Sequence, residues 1–262
     1  MAAPRKLLSI PLWNGPWSEE ALRRRHANDA RGYARGFHLR AYSDEEKLFT
    51  HFSSCWSESL TAAEIIKRPY VTAMGVDLSS KKRPGTAISV MMGDVGSSRK
   101  YVIDIRFGAW TSPQTAEQIA ICNALFRPLV IVVEDNGYQA SLIEWIQASK
   151  GSNDLWTKIE ASTTVAGYQL DEERGLAAIE IEFQNKAWTF PAQEWTHPDG
   201  RLAQMTDKGT RGQWARLRNE FFHYPFAGTS DGVMATWFAR QGLEKFMRLA
   251  RGNAGTIPSH RQ

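Results

Sequence analysis

The chain has 262 residues, 42% hydrophobic and 23% charged, as expected of a folded globular protein long enough for a real core. Thirty-two lysines and arginines against 28 acids give a formal charge of +4, which permits an anionic partner without requiring one. Two cysteines without zinc or CxxC spacing imply reduced thiols in an intracellular compartment, and no apolar run approaches the ~18 residues of a membrane span. The opening MAAPRKLLSIPLWNG is too short and too soon broken by proline for a signal peptide, and no repeat or low-complexity tract occurs.

Residues 1–69 read as an N-terminal arm or linker. Ser18 caps a helix running to about Arg35, opened by Glu19 and Glu20, acids well placed for the N-terminal dipole. Its arginines (Arg23, Arg24, Arg25, Arg31 and Arg35) read as a solvated face before a nucleic-acid contact. Phe37, Leu39, Tyr42, Leu48, Phe49 and Phe52 are apolar enough to pack onto something.

The main domain is expected over 70–250, with a flexible tail at 251–262. Val71 to Val76 and Thr86 to Met92 read as strands joined by a turn, Lys81-Lys82-Arg83-Pro84-Gly85. Asp77 ends the first strand. A carboxylate against an apolar sheet is costly unless hydrogen-bonded, paired or bound to metal. With Ser79, Ser80 and three basic residues following, Asp77 suggests a metal-dependent phosphate site; a side chain capping its own turn is the plainer alternative.

A third strand follows at Lys100–Phe107, in which Asp104 is read as a polar-face residue. Thr111 or Ser112 caps a helix through Phe126, and Leu129–Val133 is a continuous apolar run, as in a strand buried on both faces. That strand stops at Glu134. Asp135, Asn136 and Gly137 have turn chemistry to explain them, whereas Glu134 has none, and the carboxyl edge of an open α/β sheet is where ligands bind. A helix from Gln139 to Ala148 completes an α/β order with a mixed sheet.

Beyond Lys150 the pattern allows a strand at Leu155–Glu160, a helix start at Asp171–Ala178 and a segment from Glu180 ending at Pro191. Residues 192–208 read as loop, with His197 and Asp199 as turn residues. Thr210–Phe222 is an amphipathic helix with Trp214, Leu217 and Phe221 on one face and Arg211, Arg216 and Arg218 on others. A last helix is capped by Ser230 or Thr229, with Asp231 in its first turn, where an acid is common for electrostatic reasons alone.

Together, Asp77, Glu134 and Asp231 can converge at one sheet edge. Three carboxylates there repel one another and need a counter-charge, which two divalent ions about 3.5–4 Å apart supply in phosphodiester hydrolysis. Hard oxygen ligands select magnesium or manganese.

At these residues the chain resembles the C-terminal nuclease domain of the large subunit of tailed-phage terminases. Gly75-Val76-Asp77-Leu78-Ser79 looks like that family's first acidic motif, VIVVEDNG (130–137) like its second, and Ser230-Asp231-Gly232-Val233-Met234-Ala235 like its third. Residues 17–49 are similar to the segment joining the terminase ATPase to its nuclease. The resemblance implies an RNase H-like (retroviral-integrase-like) α/β fold, a mixed central sheet flanked by helices. It also implies an endonuclease cutting concatemeric double-stranded DNA during packaging, with two Mg2+ or Mn2+ ions on Asp77, Glu134 and Asp231, Asp77 bridging them. Lys81, Lys82 and Arg83 are expected to hold the DNA backbone, giving little sequence specificity.

Two departures stand out. Ser230 replaces the first of the adjacent acids common in the third motif, and Met234 stands where many relatives carry another Asp. No G-x-x-x-x-G-K-[ST] phosphate loop occurs, so this chain carries no packaging ATPase, as an excised or separately encoded nuclease. The implied partners are a terminase ATPase domain or subunit, the small terminase subunit and the portal, with the chain monomeric in isolation, off the membrane, in the bacterial host cytoplasm. The rival readings are a junction resolvase or transposase-type nuclease of the same fold, and a non-catalytic assembly module of the packaging motor.

Overall fold

The computed structural model describes residues 18–28, 47–57, 59–67, 70–78, 85–134, 142, 159–162, 175–191 and 210–252. Contacts divide the chain at 47/48 into two compact units. In the first, α1 (Glu19–Asn28) opens as expected, the Ala21 N–H donating to Ser18 Oγ at 3.3 Å. The stretch expected to extend α1 to Arg35 lies outside the described residues.

The second unit is built on a six-stranded sheet. Its strands are β1 (Val71–Asp77), β2 (Thr86–Gly93), β3 (Lys100–Gly108), β4 (Val130–Glu134), β5 (Ile159–Ser162) and β6 (Trp188–Thr189), in the spatial order β5-β4-β1-β2-β3-β6. β1, β2 and β3 form an antiparallel meander, while β4 lies parallel to β1 and β5 parallel to β4. An antiparallel meander extended through its first strand by a parallel pair is the RNase H-like arrangement. The expected fold class holds.

Side chains alternate across the sheet and bury two separate cores. Met74, Val76, Ile88, Val90, Ile131 and Val133 pack with Ile119, Cys122 and Phe126 of α3 (Ser112–Phe126) and with Ile65 of α2 (Ala62–Ile65). Of the two expected caps, Thr111 stands before α3, its N–H and hydroxyl donating to Gln114 Oε1 at 2.9 and 3.1 Å. On the opposite face Val71, Ala73, Ala87, Val130 and Val132 meet α4 (Leu176–Gln184), α5 (Thr210–His223) and α6 (Asp231–Gly252).

Asp104 is not on a polar face. It pairs with Arg106 at 2.9 Å, and Arg106 in turn donates to Gln118 of α3 at 3.1 Å, so an ion pair takes the place of apolar packing on the α3 side. The start of the second unit also differs from the arm expected to end at 69. Phe49, Phe52 and Cys55 are core residues, with the Phe52 ring 5.0 Å from both Phe190 and Phe221. Each such pair adds about 0.5–1.5 kcal/mol beyond burial. Phe190 N donates to Cys55 O and Ser57 N to Phe190 O, both at 2.9 Å, which binds this segment to the chain leaving β6. At the other end α6 includes Arg251 and Gly252, and 253–262 lie outside the described residues.

The placement of α6 decides where the site can form. A Cβ on Gly75 would collide with Ala235 O and Ala239 N, so only glycine lets the helix backbone lie directly on β1. Gly242, further along α6, sits over Ala73, Val130 and Val132. As β1 advances from Ala73 to Gly75, its contact on α6 retreats from 242 toward 235. The helix therefore runs antiparallel to the strand, and Asp77, two residues on, comes level with the α6 N-terminus.

Candidate active site

Register places the first two acids side by side. Val76 pairs with Val133 in parallel, so the next residues, Asp77 and Glu134, end adjacent strands together. Both continue the odd and even series, Ala73-Gly75-Asp77 and Val130-Val132-Glu134, that faces α6 rather than α3. Thr72 apart, each strand carries no polar side chain until that last position, and each acid is half-buried.

Asp231 arrives from the opposite side as the first residue of α6. Its carboxylate takes the space that a Cβ on Gly85, just before β2, would need: the built Cβ would lie 2.8 Å from Asp231 Oδ2. The three predicted acids thus gather at the carboxyl edge of the β1–β4 pair. The electrostatics record it. The Asp77 carboxyl is pushed up to about 9, first by burial and then by the charge of Glu134 and the hydrogen bond to it, with Asp231 and Glu220 adding repulsion.

Glu220 was not anticipated. It sits on α5 with its side chain only 1% exposed, and its carboxylate is fully engaged. It accepts from Gly232 N at 2.7 Å, from Thr229 Oγ1 at 2.6 Å and from Arg216 Nε at 2.9 Å. The Gly232 bond satisfies one of the otherwise unpaired N–H groups in the first turn of α6, so Glu220 fixes the turn that carries Asp231. Its sequence signal was its place: Trp214, Leu217 and Phe221 mark the apolar face of α5, and Glu220, three residues after Leu217, falls on the same face.

Arg216, expected on a face of α5 away from its apolar one, meets α6. Its Nη2 contacts Asp231 Oδ2 at 2.6 Å and Thr229 Oγ1 at 3.2 Å, and its guanidinium lies 4.1 Å from the centroid of the Phe107 ring. Gln213, on the same helix, accepts from Phe107 N at 2.7 Å and anchors α5 to the end of β3. Lys81, Lys82 and Arg83 lie outside the described residues, as do Ser79, Ser80, Asp135, Asn136, Gly137, His197 and Asp199.

Among the described residues no group of three or more His, Cys, Asp and Glu side chains stands ready to hold a metal ion. Asp77 and Glu134 are adjacent hard oxygen donors, a donor type that fits a divalent cation. Asp231, by contrast, is already paired with a guanidinium.

No family model matches the chain, and no curated protein matches it. Among solved structures, the large terminase nuclease of a thermophilic phage is similar at 9% identity, over 74% of this chain and 97% of that one, with a TM-score of 0.46. The large terminase nuclease domain of bacteriophage SPP1, with bound Mn, is similar at 17% identity over 62% of this chain and 94% of that one (TM-score 0.39). T. thermophilus RuvC in complex with a Holliday junction substrate is similar at 11% identity over 70% and 97% (TM-score 0.35). At these TM-scores the fold assignment stands on the strand order and register given above.

Proposed function

We propose that the chain is a divalent-metal-dependent endonuclease that hydrolyses phosphodiester bonds of double-stranded DNA with little sequence preference, cutting concatemeric viral DNA during genome packaging. One observation carries the reading. Asp77 and Glu134 end adjacent parallel strands side by side and half-buried, with burial and the Glu134 charge pushing the Asp77 carboxyl up, and two hard carboxylates so placed suit a divalent cation.

Magnesium or manganese would be held by Asp77 and Glu134, with Asp231 as the third donor. When bound, the metal supplies Lewis-acid activation and charge stabilisation at the attacking and leaving oxygens. The protein's own residues do the rest. Asp77 gives up its proton to become a donor. Glu220, through Gly232 N, keeps the first turn of α6 aimed at the strand ends. Gly75 keeps the helix close enough for the three acids to share one site. Lys81, Lys82 and Arg83 occur between Asp77 and Gly85 in sequence and are assigned the DNA backbone, where such contacts add affinity without reading bases. Association with a packaging ATPase, small subunit and portal in the host cytoplasm belongs to the same proposal.

The test is relaxation and degradation of supercoiled plasmid with Mg2+, Mn2+ or EDTA, for the wild type beside Asp77→Ala. Cleavage that needs metal and disappears in the variant is expected. Absence of cleavage with either metal refutes the nuclease. Faster cutting of a four-way junction than of duplex would move the assignment to a resolvase.

A further inference from the structure

The nuclease reading, on which this inference rests, needs Asp231 where the turn between α5 and α6 delivers it. That turn is open: Pro225, Phe226, Gly228 and Thr229 are exposed, and a Cβ on Gly228 would meet nothing within 4 Å. Glu220 and Arg216 hold its Asp231 end. The other end is met by a segment remote in sequence. Leu48 N donates to Tyr224 O at 3.1 Å, and the Phe49 ring lies 5.4 Å from Tyr224 and 5.0 Å from Phe221, the neighbour of Glu220.

We propose that residues 48–51 form a strap that positions Asp231, setting the α5–α6 turn from a fixed anchor on α4. Leu48 and Phe49 are positioning residues for the third acid, acting through Tyr224, Phe221 and Glu220.

Three observations support this. First, the anchor is firm. The Glu180 carboxylate accepts from Thr50 N at 3.1 Å, Thr50 Oγ1 at 2.6 Å and His51 N at 3.2 Å, with His51 Nδ1 at 2.7 Å. Hydrogen bonds to a charged acceptor are the stronger kind, and α4 is seated in the core through Leu176, Ile179 and Phe183. Second, the path to the site is short. Glu220 and Phe221 are consecutive buried residues in the last turn of α5, one accepting from Gly232 N at 2.7 Å and the other facing Phe49. Close-packed interiors transmit strain, so a displaced Phe221 carries Glu220 with it. Third, Leu48 opens the second unit, so a pull on the chain at that point bears first on Tyr224.

The experiment measures amide exchange by NMR on the full chain. The proteins are wild type, Leu48→Pro, which deletes the N–H, Glu180→Ala, which deletes the anchor, and Glu180→Gln, which keeps an acceptor oxygen. A purely structural role would speed exchange at Gly232 N–H no more than at Val76 and Val133 in the sheet. The expected result is an acceleration at Gly232 about fivefold beyond those two in Leu48→Pro and Glu180→Ala, the effect of one lost backbone hydrogen bond on a local opening. Glu180→Gln should stay within about twofold of wild type, since its oxygen still accepts. Gly232 keeping pace with Val76 and Val133 in the deletion variants, or no recovery in Glu180→Gln, overturns the strap. Glu180→Ala carries the test if Leu48→Pro does not fold.

The second measurement is Mn2+ binding, reading free Mn2+ by electron paramagnetic resonance. Affinity should weaken about fivefold in both deletion variants, in step with the exchange. Manganese bound equally by wild type and both variants overturns the strap and leaves the nuclease standing. No manganese on the wild type overturns the nuclease, and the exchange rates alone then decide the strap.

Discussion

Replacing Asp77 with asparagine isolates the electrostatics of the site from its chemistry. The unfolded chain releases the Asp77 proton near 3.8, while the folded, metal-free chain keeps it to about 9. Between those values the folded state binds more protons, so stability is full below 3.8 and falls as pH rises through the window, by up to about 1.4 kcal/mol per unit. By pH 7 the cost approaches about 4 kcal/mol, and relaxation around a half-buried group lowers the realised figure to roughly 2 kcal/mol. Asparagine keeps the shape and can donate to Glu134 without holding a titrating proton. Asp77→Asn is therefore expected to melt about 4–8 °C above the wild type at pH 7 in EDTA. The gap should close toward pH 4 and widen toward pH 9, and magnesium should stabilise the wild type alone. Circular-dichroism melts at four pH values check this. A gap that stays flat with pH, or a variant that melts below the wild type at pH 7, refutes the reasoning.

Gly75→Val places branched carbon against the backbone of α6 at Ala235 and Ala239, which cannot move aside as a flexible side chain would. A loss of about 3 kcal/mol or more in urea unfolding is expected, and a loss below 1 kcal/mol would contradict the close approach. Glu182→Gln leaves Lys100 and Arg240, paired with it at 3.0 and 2.8 Å, with one carboxylate fewer in a buried setting. Burial alone would raise the Glu182 carboxyl, but the hydrogen bond and charge of Arg240, with Lys100, hold it below its ordinary value. Its stabilisation is present at neutral pH and lost as pH falls below about 4.5. The variant should lose about 3 kcal/mol at pH 7, and its gap to the wild type should narrow as pH falls below 4.5, read by urea melts across that range.

The first layer of the site was legible because strands advertise their exceptions. Asp77 and Glu134 interrupt apolar runs at the strand ends, and nothing local explains Glu134. Asp231 was legible only in company, since an acid opening a helix has an ordinary electrostatic reason to be there. Arg216 and Glu220 were not found because helix α5 mixes arginines over its surface, and sequence spacing does not say which one meets another helix. Their significance comes from the α5–α6 approach, a tertiary fact. The same limit hid Phe49 and Phe52: apolar residues before the sheet announce that they pack, not that Phe190 and Phe221 receive them.

The seat of α6 on Gly75 also acts as a fulcrum. At 1.5 Å per residue, Asp231 stands about 9 Å from that seat and Met247 about 15 Å on the other side. A shift of about 1 Å at Met247, packed against Gly93, swings Asp231 by roughly 0.6 Å the opposite way. The reach of the third carboxylate toward its partners is thus inherited from apolar residues at the far edge of the sheet that have no chemistry of their own.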